Sequence, residues 1–201
     1  MNPLMSVKGS IITAFVLAAI VSIWLSMLAG AEIGAYPQIG RLLHIVSGVM
    51  WIGLLYYFNV VQVPGLADAA ADKGGPGGAG VSKYIAPRAL WWFRWAAVIT
   101  WITGAYYLAF GFGSVKILHD ALTLQPGFRV IGVGAWLGTI MLLNVWVLIW
   151  PNQKKILGIV AATDEQKAKA RKTALLASRI NFVLSVPMLM CMGGQSHGLP
   201  F

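Results

Sequence analysis

Three histidines are the residues of this chain best suited to chemistry. They are His44, His119 and His197, and the 201-residue sequence contains no others. Imidazole is the commonest protein ligand for metals, and it also ligates haem iron. His44 lies in the apolar segment LLHIVSGVMWIGLLYYFNVVQV. An ionisable group in a membrane segment is a functional candidate by default.

The composition is typical of a polytopic membrane protein. Hydrophobic residues make up 58% of the chain and charged residues only 10%, whereas a soluble domain carries about 25% charged residues. Apolar segments long enough to cross about 30 Å of hydrocarbon as helices occur at residues 11–29, 42–63, 89–110, 130–150 and 175–192. We therefore predict an all-α fold, a single transmembrane domain over residues 1–201 with five transmembrane helices.

Basic residues are distributed unevenly between the predicted loops. The side that holds the amino terminus carries most of them: Lys8, Lys73, Lys83, Arg88, Arg94, Lys154, Lys155, Lys167, Lys169, Arg171, Lys172 and Arg179. The opposite side carries only Arg41, Lys116 and Arg129. Because Lys and Arg concentrate in cytoplasmic loops, we predict a cytoplasmic amino terminus and a periplasmic carboxyl terminus in a bacterial inner membrane. The same bias explains the net charge of +9 without a nucleic-acid partner.

This topology places all three histidines at the outer face of the membrane. His44 is expected about one turn inside the second span, His119 in a short loop, and His197 just past the last span. The neighbouring Asp120 is a candidate to orient the His119 imidazole. The single cysteine, Cys191, excludes an internal disulfide, a CxxCH haem attachment and any multi-cysteine metal site.

Small residues share the helix face of His44. Ser47, Gly48 and Trp51 follow it at helical spacing, and the small side chains leave room either for a flat macrocycle or for the backbone of another helix. Two of the three histidines, for example His44 and His197, would ligate a b-type haem, or all three would hold copper or zinc. The candidate cofactor-binding residues are therefore His44, His197, His119, Ser47, Gly48 and Trp51.

Polar residues near the inner face form a second candidate set. They are Asn59, Arg94, Asn144, Asn152, Gln153, Arg179 and Asn181. Two interpretations remain open: hydrogen bonding between helices, or a path for a substrate, quinone or proton that includes Asn59, Arg94, Asn144 and Asn181. Arginines near helix ends are expected to extend their charges to the interface, and tryptophans to form an interfacial belt. Thr163 or Asp164 is expected to cap a short helix in the fourth loop.

Several segments resemble the urate oxidase amino-terminal domain family, the membrane parts of cytochrome c-linked urate hydroxylases. They are RLLHIVSGVMWIGLLYYFNVVQVP, KYIAPRALWWFRWAAVITWITG, NVWVLIWPNQKKILG, SRINFVLSVPMLMCM and the final QSHG. The resemblance covers four of the five predicted spans and implies that His44 is a haem ligand. The family's cytochrome c domain has no counterpart here, because the sequence contains no CxxCH. More distantly, the LHxxxxxxWxGxLY pattern is similar to HemJ-type protoporphyrinogen oxidases, which are regarded as haem-binding.

We predict a membrane-embedded redox subunit that binds b-type haem and exchanges electrons with a separate cytochrome c or a quinone. One alternative is a non-catalytic subunit of a larger respiratory, photosynthetic or oxygenase complex. Another is a urate-hydroxylase-like oxidoreductase that uses an external cytochrome. Lipid, other membrane subunits and a cytochrome c are the expected partners, and the sequence leaves the oligomeric state open.

Overall fold

The computed structural model describes residues 2–29, 36–111 and 114–200, and within these ranges it contains helices and no strand. The predicted all-α fold is confirmed. The helices are α1 (Val7–Ala29), α2 (Tyr36–Tyr56), α3 (Val63–Ala71), α4 (Ala86–Phe110), α5 (Lys116–Leu122), α6 (Arg129–Leu143), α7 (Trp150–Ile156) and α8 (Asp164–His197). A 3-10 turn (Pro3–Met5) precedes α1.

The chain divides into two compact units at Ile39. In the first unit, α1 is a 23-residue apolar helix. Its large hydrophobic side chains, including Phe15, Ile20 and Trp24, are exposed. A helix that is apolar all round and exposed is suited to a lipid environment or to a partner.

The second unit is an antiparallel bundle of four long helices. The His44 imidazole donates to the Thr100 carbonyl to link α2 to α4, and the Phe58 ring, one residue into the π-helical turn Tyr57–Gln62 that follows α2, packs against Phe93 of α4. The Trp101 indole donates to Thr139 Oγ1 to link α4 to α6. Further contacts join α6 to α8 and α8 back to α2. The core consists of side chains from all four helices: Trp51, Ile52, Leu55, Phe58, Leu90, Phe93, Ala96, Ala97, Met141, Val145, Ile149, Ala177 and Met188. Burial of this apolar surface unites the helices.

Two of the long helices pass through a π-helical turn. Tyr57–Gln62 joins α2 to α3, and Asn144–Ile149 joins α6 to α7. The resulting continuous helices extend from Pro37 to Ala71 and from Arg129 to Ile156. A third π-helical turn, Val81–Ile85, leads directly into α4. π-helical turns are rare and occur frequently at functional sites.

Two loop predictions are corrected by the structure. His119 lies in helix α5 rather than in a loop. Thr163 caps α8 itself, because its side chain accepts from the Gln166 amide while Gln166 returns a bond to the Thr163 amide. The expected short helix is therefore the first part of a 34-residue helix. No helix-breaking residue separates the charged segment TDEQKAKARKT from the apolar span.

Four helices are long and apolar enough to cross a membrane: Val7–Leu28, Pro37–Ala71, Arg129–Ile156 and Asp164–His197. All five predicted spans fall within helices, the third of them in α4. α4 has 25 residues, but its sequence combines Arg94 with tryptophans and tyrosines, which lower its hydropathy. These features support a membrane protein of at least four apolar helices.

Candidate functional site

One end of the bundle carries all three histidines. We name it the histidine end; it comprises the amino-terminal halves of α2 and α6, the carboxyl-terminal halves of α4 and α8, and the short helix α5. The antiparallel packing brings these elements together. His44 lies in α2, His119 in α5, and His197 is the last residue of α8.

The His44 imidazole is fixed by the backbone of α4. Its Nδ1 lies 2.7 Å from the carbonyl oxygen of Thr100. A carbonyl only accepts hydrogen bonds, so Nδ1 carries the proton, and in the neutral ring Nε2 carries the lone pair. Nε2 makes no hydrogen bond to the described residues and is not among their enclosed, unpartnered nitrogens. This arrangement leaves the nitrogen available as a ligand.

Close packing between α2 and α4 surrounds that hydrogen bond. A Cβ atom at Gly104 would lie 2.8 Å from both Cε1 and Nδ1 of His44. The Ser47 and Thr100 hydroxyl oxygens lie 3.0 Å apart, and Gly48 faces the Thr100 methyl group. The small residues Ser47 and Gly48 therefore accommodate a neighbouring helix. Trp51 is buried in the core, with no hydrogen-bond partner for its Nε1.

His44 and His197 lie at similar depths in the bundle. The Tyr56 and Ser185 hydroxyl oxygens are 3.1 Å apart and join α2 to α8. His44 precedes Tyr56 by twelve residues and His197 follows Ser185 by twelve, which is about 18 Å along each antiparallel helix. The His197 side chain is exposed and His44 is half-buried. Their pairing around one iron stays a prediction.

His119 has a different environment from the other two histidines. Its side chain is exposed, and its Nδ1 is 3.6 Å from Asp120 Oδ1, beyond hydrogen-bond distance. Asp120 instead accepts from Lys116 Nζ at 2.5 Å. The Lys116 hydrogen bond holds the pKa of Asp120 below its ordinary value, with a smaller contribution from His119. The main partner of Asp120 is therefore Lys116, and Asp120 does not orient His119 by a hydrogen bond.

A three-ligand metal site is not assembled in the described ranges. No group of three or more His, Cys, Asp or Glu side chains there lies close enough to hold a metal ion. The copper or zinc alternative thus receives no geometric support from these residues. A site with one protein histidine and a large organic cofactor does not need such a group.

The half of the bundle away from the histidine end contains a buried arginine, and we name it the arginine half. Arg94 is 8% exposed, and its Cζ lies 3.3 Å from the ring centroid of Trp150 and 5.8 Å from that of Trp146. Lys154 Nζ lies 5.9 Å from the same Trp150 ring. We name Arg94, Trp146, Trp150 and Lys154 the arginine cluster. The expectation that Arg94 extends its charge to the interface is wrong, because indole rings from the α6–α7 helix cover it.

Buried asparagines in the same half connect the helices. Asn181 Nδ2 donates to the Met141 carbonyl, and Asn181 Oδ1 accepts from Asn144, both at 2.9 Å. Asn59 donates to Leu55 and to Ser178, each at 2.8 Å, while its Oδ1 has no partner. These contacts favour the interhelical hydrogen-bonding interpretation for Asn144 and Asn181.

The remaining polar candidates lie nearer the surface of the bundle. Arg179 is exposed, and Asn152 donates to the Leu148 carbonyl within its own helix. Gln153 is half-buried in α7. None of the three joins the asparagine contacts between helices in the described structure. Of the tryptophans, Trp91, Trp92 and Trp95 are exposed as a belt requires, whereas Trp51 is buried and Trp146 and Trp150 are half-buried.

Sequence reasoning missed three residues that define these sites. Thr100 and Gly104 position His44 from a helix more than fifty residues away, and Trp150 covers Arg94 from a similar separation. The only local signal was the i, i+4 spacing of Thr100 and Gly104, which places two small residues on one face of α4.

The fold and these sites define a polytopic helical protein with an interior histidine and an interior arginine. A sequence model of the family described as urate oxidase N-terminal matches residues 121–201, which include α6, α7 and α8. The resemblance inferred from NVWVLIWPNQKKILG, SRINFVLSVPMLMCM and QSHG is thereby confirmed for this part of the chain. The His44 helix lies outside the match, so its likeness to HemJ-type proteins stays a prediction. No curated protein and no solved structure matches the chain.

Proposed function

We propose that this chain is a membrane-embedded redox subunit that binds b-type haem through His44 and exchanges electrons with a separate cytochrome c or a quinone. The observation that carries the proposal is the orientation of the imidazole. Its Nδ1 donates to the Thr100 carbonyl at 2.7 Å, so Nε2 has the free lone pair that an iron ligand requires. A bound haem would supply reversible one-electron chemistry.

His197 is the second candidate ligand. Its depth, similar to that of His44, supports this role, as does its exposed side chain, which is accessible to a cofactor. His119 is less suited, because its immediate neighbour is the Lys116–Asp120 ion pair. The chain's own contribution is to fix the proton on one nitrogen of His44 and keep the other nitrogen available.

A five-span topology with the histidine end outward is part of the same proposal. α4 lies antiparallel to both α2 and α6 through the bundle, so a membrane crossed by those helices would also surround α4. The amino terminus would then be cytoplasmic in a bacterial inner membrane. The basic side chains near the opposite end, including Lys154, Lys155 and Arg88, support that orientation.

Visible absorption of the purified protein tests the haem. We expect a Soret band that shifts on reduction, with about one haem per chain, when the protein is produced with sufficient haem. His44→Ala should abolish the band, whereas His119→Ala should leave it intact because the His119 side chain is exposed beside the Lys116–Asp120 ion pair. Elution as a monodisperse peak verifies folding of each variant.

Two results would overturn the haem proposal. One is the absence of a Soret band from folded wild-type protein supplied with haem. The other is a folded His44→Ala variant that retains the wild-type spectrum. Intact assembly with unchanged electron transfer in that variant would favour the non-catalytic subunit of a larger complex, for which α1 offers an exposed apolar surface.

The family match favours a second candidate function, oxidation of urate or a similar small substrate with an external cytochrome c. Membranes that contain the chain should then consume urate only when cytochrome c is added, with matching reduction of that cytochrome. Haem-loaded protein that fails this assay would exclude urate as the substrate and leave electron transfer as the remaining activity.

A further inference from the structure

Arg94 carries a buried charge without a counterion among the described residues. Its Nε and Nη1 atoms are enclosed and have no hydrogen-bond partner in the described structure. The ion pairs found there involve Asp120 and Asp164, and neither pairs with Arg94. Arginine keeps its charge in proteins. A buried charge that lacks both hydrogen bonds and a counterion is strongly unfavourable, so the site is incomplete as the chain alone forms it.

A second cation makes the local charge imbalance larger. Lys154 Nζ and Arg94 Cζ both approach the Trp150 indole, at 5.9 and 3.3 Å from its centroid. Cation–π contacts attract each cation to the ring, but they do not neutralise either charge. Two neighbouring positive groups around one ring raise the affinity for a negative group between or beside them.

The orientation of the Arg94 guanidinium also suits hydrogen bonding to an oxyanion that lies in the plane of the group. Trp150 covers one face of the group at a stacking distance, which restricts its orientation. Nε and Nη1 are enclosed but still have N–H groups without a partner in the described residues, and the guanidinium fork matches the two oxygens of a carboxylate or phosphate. The π-helical turn Asn144–Ile149 lies immediately before Trp150 and therefore helps determine where both indoles of the cluster stand.

We propose that the arginine cluster binds an oxyanion, with Arg94 as the hydrogen-bonding fork and Lys154 as the supporting charge. The shared chemistry is a phosphate or carboxylate group with at least two free oxygens. It comes either from an anionic lipid headgroup or from a soluble anion. The site is distinct from the haem site proposed at His44, because the arginine cluster lies in the half of the bundle away from the histidine end.

Binding is measured on the full chain in nanodiscs of phosphatidylcholine alone or with phosphatidylglycerol. Native mass spectrometry detects retained anionic lipid. The thermal unfolding midpoint is measured in phosphatidylcholine discs against sodium phosphate, with sodium chloride at equal ionic strength as reference. Retention of phosphatidylglycerol identifies a lipid headgroup, and stabilisation by phosphate beyond chloride identifies a soluble anion.

Arg94→Met should weaken binding of whichever anion acts by on the order of tenfold or more, because it removes charge-assisted hydrogen bonds. Arg179→Met is the matched control: it removes an exposed arginine from the same half of the bundle and should leave binding unchanged. Arg94→Lys retains the charge but not the fork, so its affinity should fall between the wild type and Arg94→Met.

The proposal is overturned if neither anion binds the wild type in preference to chloride, or if the Arg94 and Arg179 variants respond equally. Should Arg94→Met fail to fold, Lys154→Met provides the same test, because Lys154 is half-buried near the surface. Lower anion affinity in folded Lys154→Met supports the site, and unchanged affinity in that variant contradicts the assigned cluster.

Discussion

His44 and Arg94 are both ionisable residues inside the bundle, but they differ in their hydrogen bonding. His44 donates to a backbone carbonyl at 2.7 Å, whereas two nitrogens of Arg94 are enclosed with no hydrogen-bond partner in the part of the chain that the structure describes. The hydrogen bond determines the tautomer of His44 and leaves one nitrogen free. The missing bonds of Arg94 leave a charge unmatched. The first residue is therefore positioned by the fold, while the second requires something that the described chain does not supply.

Asn181 shows that the arginine half can satisfy buried polar groups. It is fully buried, yet its amide is hydrogen-bonded at both ends, to Met141 in α6 and to Asn144 in the π-helical turn that follows α6. The unpartnered state of Arg94 is therefore a property of that residue's surroundings rather than of this half of the bundle. Four variants address this contrast, in addition to the experiments above, and a fifth concerns the Lys116–Asp120 pair.

The largest effect is expected from Gly104→Ala at the histidine end. The new Cβ would lie 2.8 Å from two atoms of the His44 ring, so the ring must leave the Thr100 carbonyl. We expect a cost of about 1–3 kcal/mol from overpacking, together with loss of most bound haem. Denaturant titration and the Soret absorbance measure the two consequences.

Gly138→Ala is the control for that variant. Gly138 is likewise a helical glycine, and it is buried, but a Cβ there would meet nothing within 4 Å. Its replacement should leave haem content unchanged and stability equal or slightly higher. Equal haem content in the two alanine variants would contradict the assignment of the Gly104–His44 contact as a positioning device.

Two variants in the arginine half should change the stability by smaller amounts than Gly104→Ala, and in opposite directions from each other. Asn181→Leu removes two interhelical hydrogen bonds and leaves Asn144 without its partner, at a cost of about 1–2 kcal/mol. Arg94→Met removes an unpaired buried charge, so without added oxyanion it should be as stable as the wild type or more stable. The midpoints of thermal unfolding in phosphatidylcholine discs compare them. Destabilisation of both variants to the same extent would remove the distinction drawn between these residues.

The smallest effect concerns the Lys116–Asp120 pair in α5. Because the Lys116 hydrogen bond lowers the pKa of Asp120 in the folded state, the pair stabilises the fold above the ordinary carboxylate pKa of about 3.9. This stabilisation is lost as the pH falls through the lower folded value. Unfolding midpoints between about pH 7 and about pH 3 should show a shallower decline for Asp120→Asn. A decline identical to that of the wild type would show that the ion pair contributes nothing to stability.

Hydropathy predicted the long helices because each span requires about twenty apolar residues in a row. It did not predict α5 or the first turns of α8, which contain Lys116, Asp120, Asp164 and Glu165. Those segments are helical because of capping and packing, which depend on specific hydrogen bonds rather than on mean apolarity. The Thr163–Gln166 pair was the available signal for the true start of α8.

The environments of His44 and Arg94 could not be predicted from sequence because their neighbours come from other helices. A carbonyl of Thr100 is a backbone group, and any residue type supplies one. The indole of Trp150 covers Arg94 only because α4 and the α6–α7 helix are adjacent and antiparallel. The position of Arg94 near a predicted helix end favoured an exposed side chain, but the Trp146 and Trp150 indoles pack against its guanidinium and bury it.

The π-helical turns also rotate the residues that follow them about the helix axis, relative to the residues that precede them. An α-helix advances about 100° per residue, so an extra residue accommodated in Tyr57–Gln62 rotates everything after it relative to an uninterrupted α2. The same holds for Asn144–Ile149 in the neighbourhood of Trp150. Deletion of one residue from either turn would restore a regular α-helix and turn the following side chains by about a quarter of a circle. A single-residue insertion or deletion in either turn would therefore change the direction in which the following side chains of the arginine half point. His44, which precedes the first of these turns, would keep its orientation.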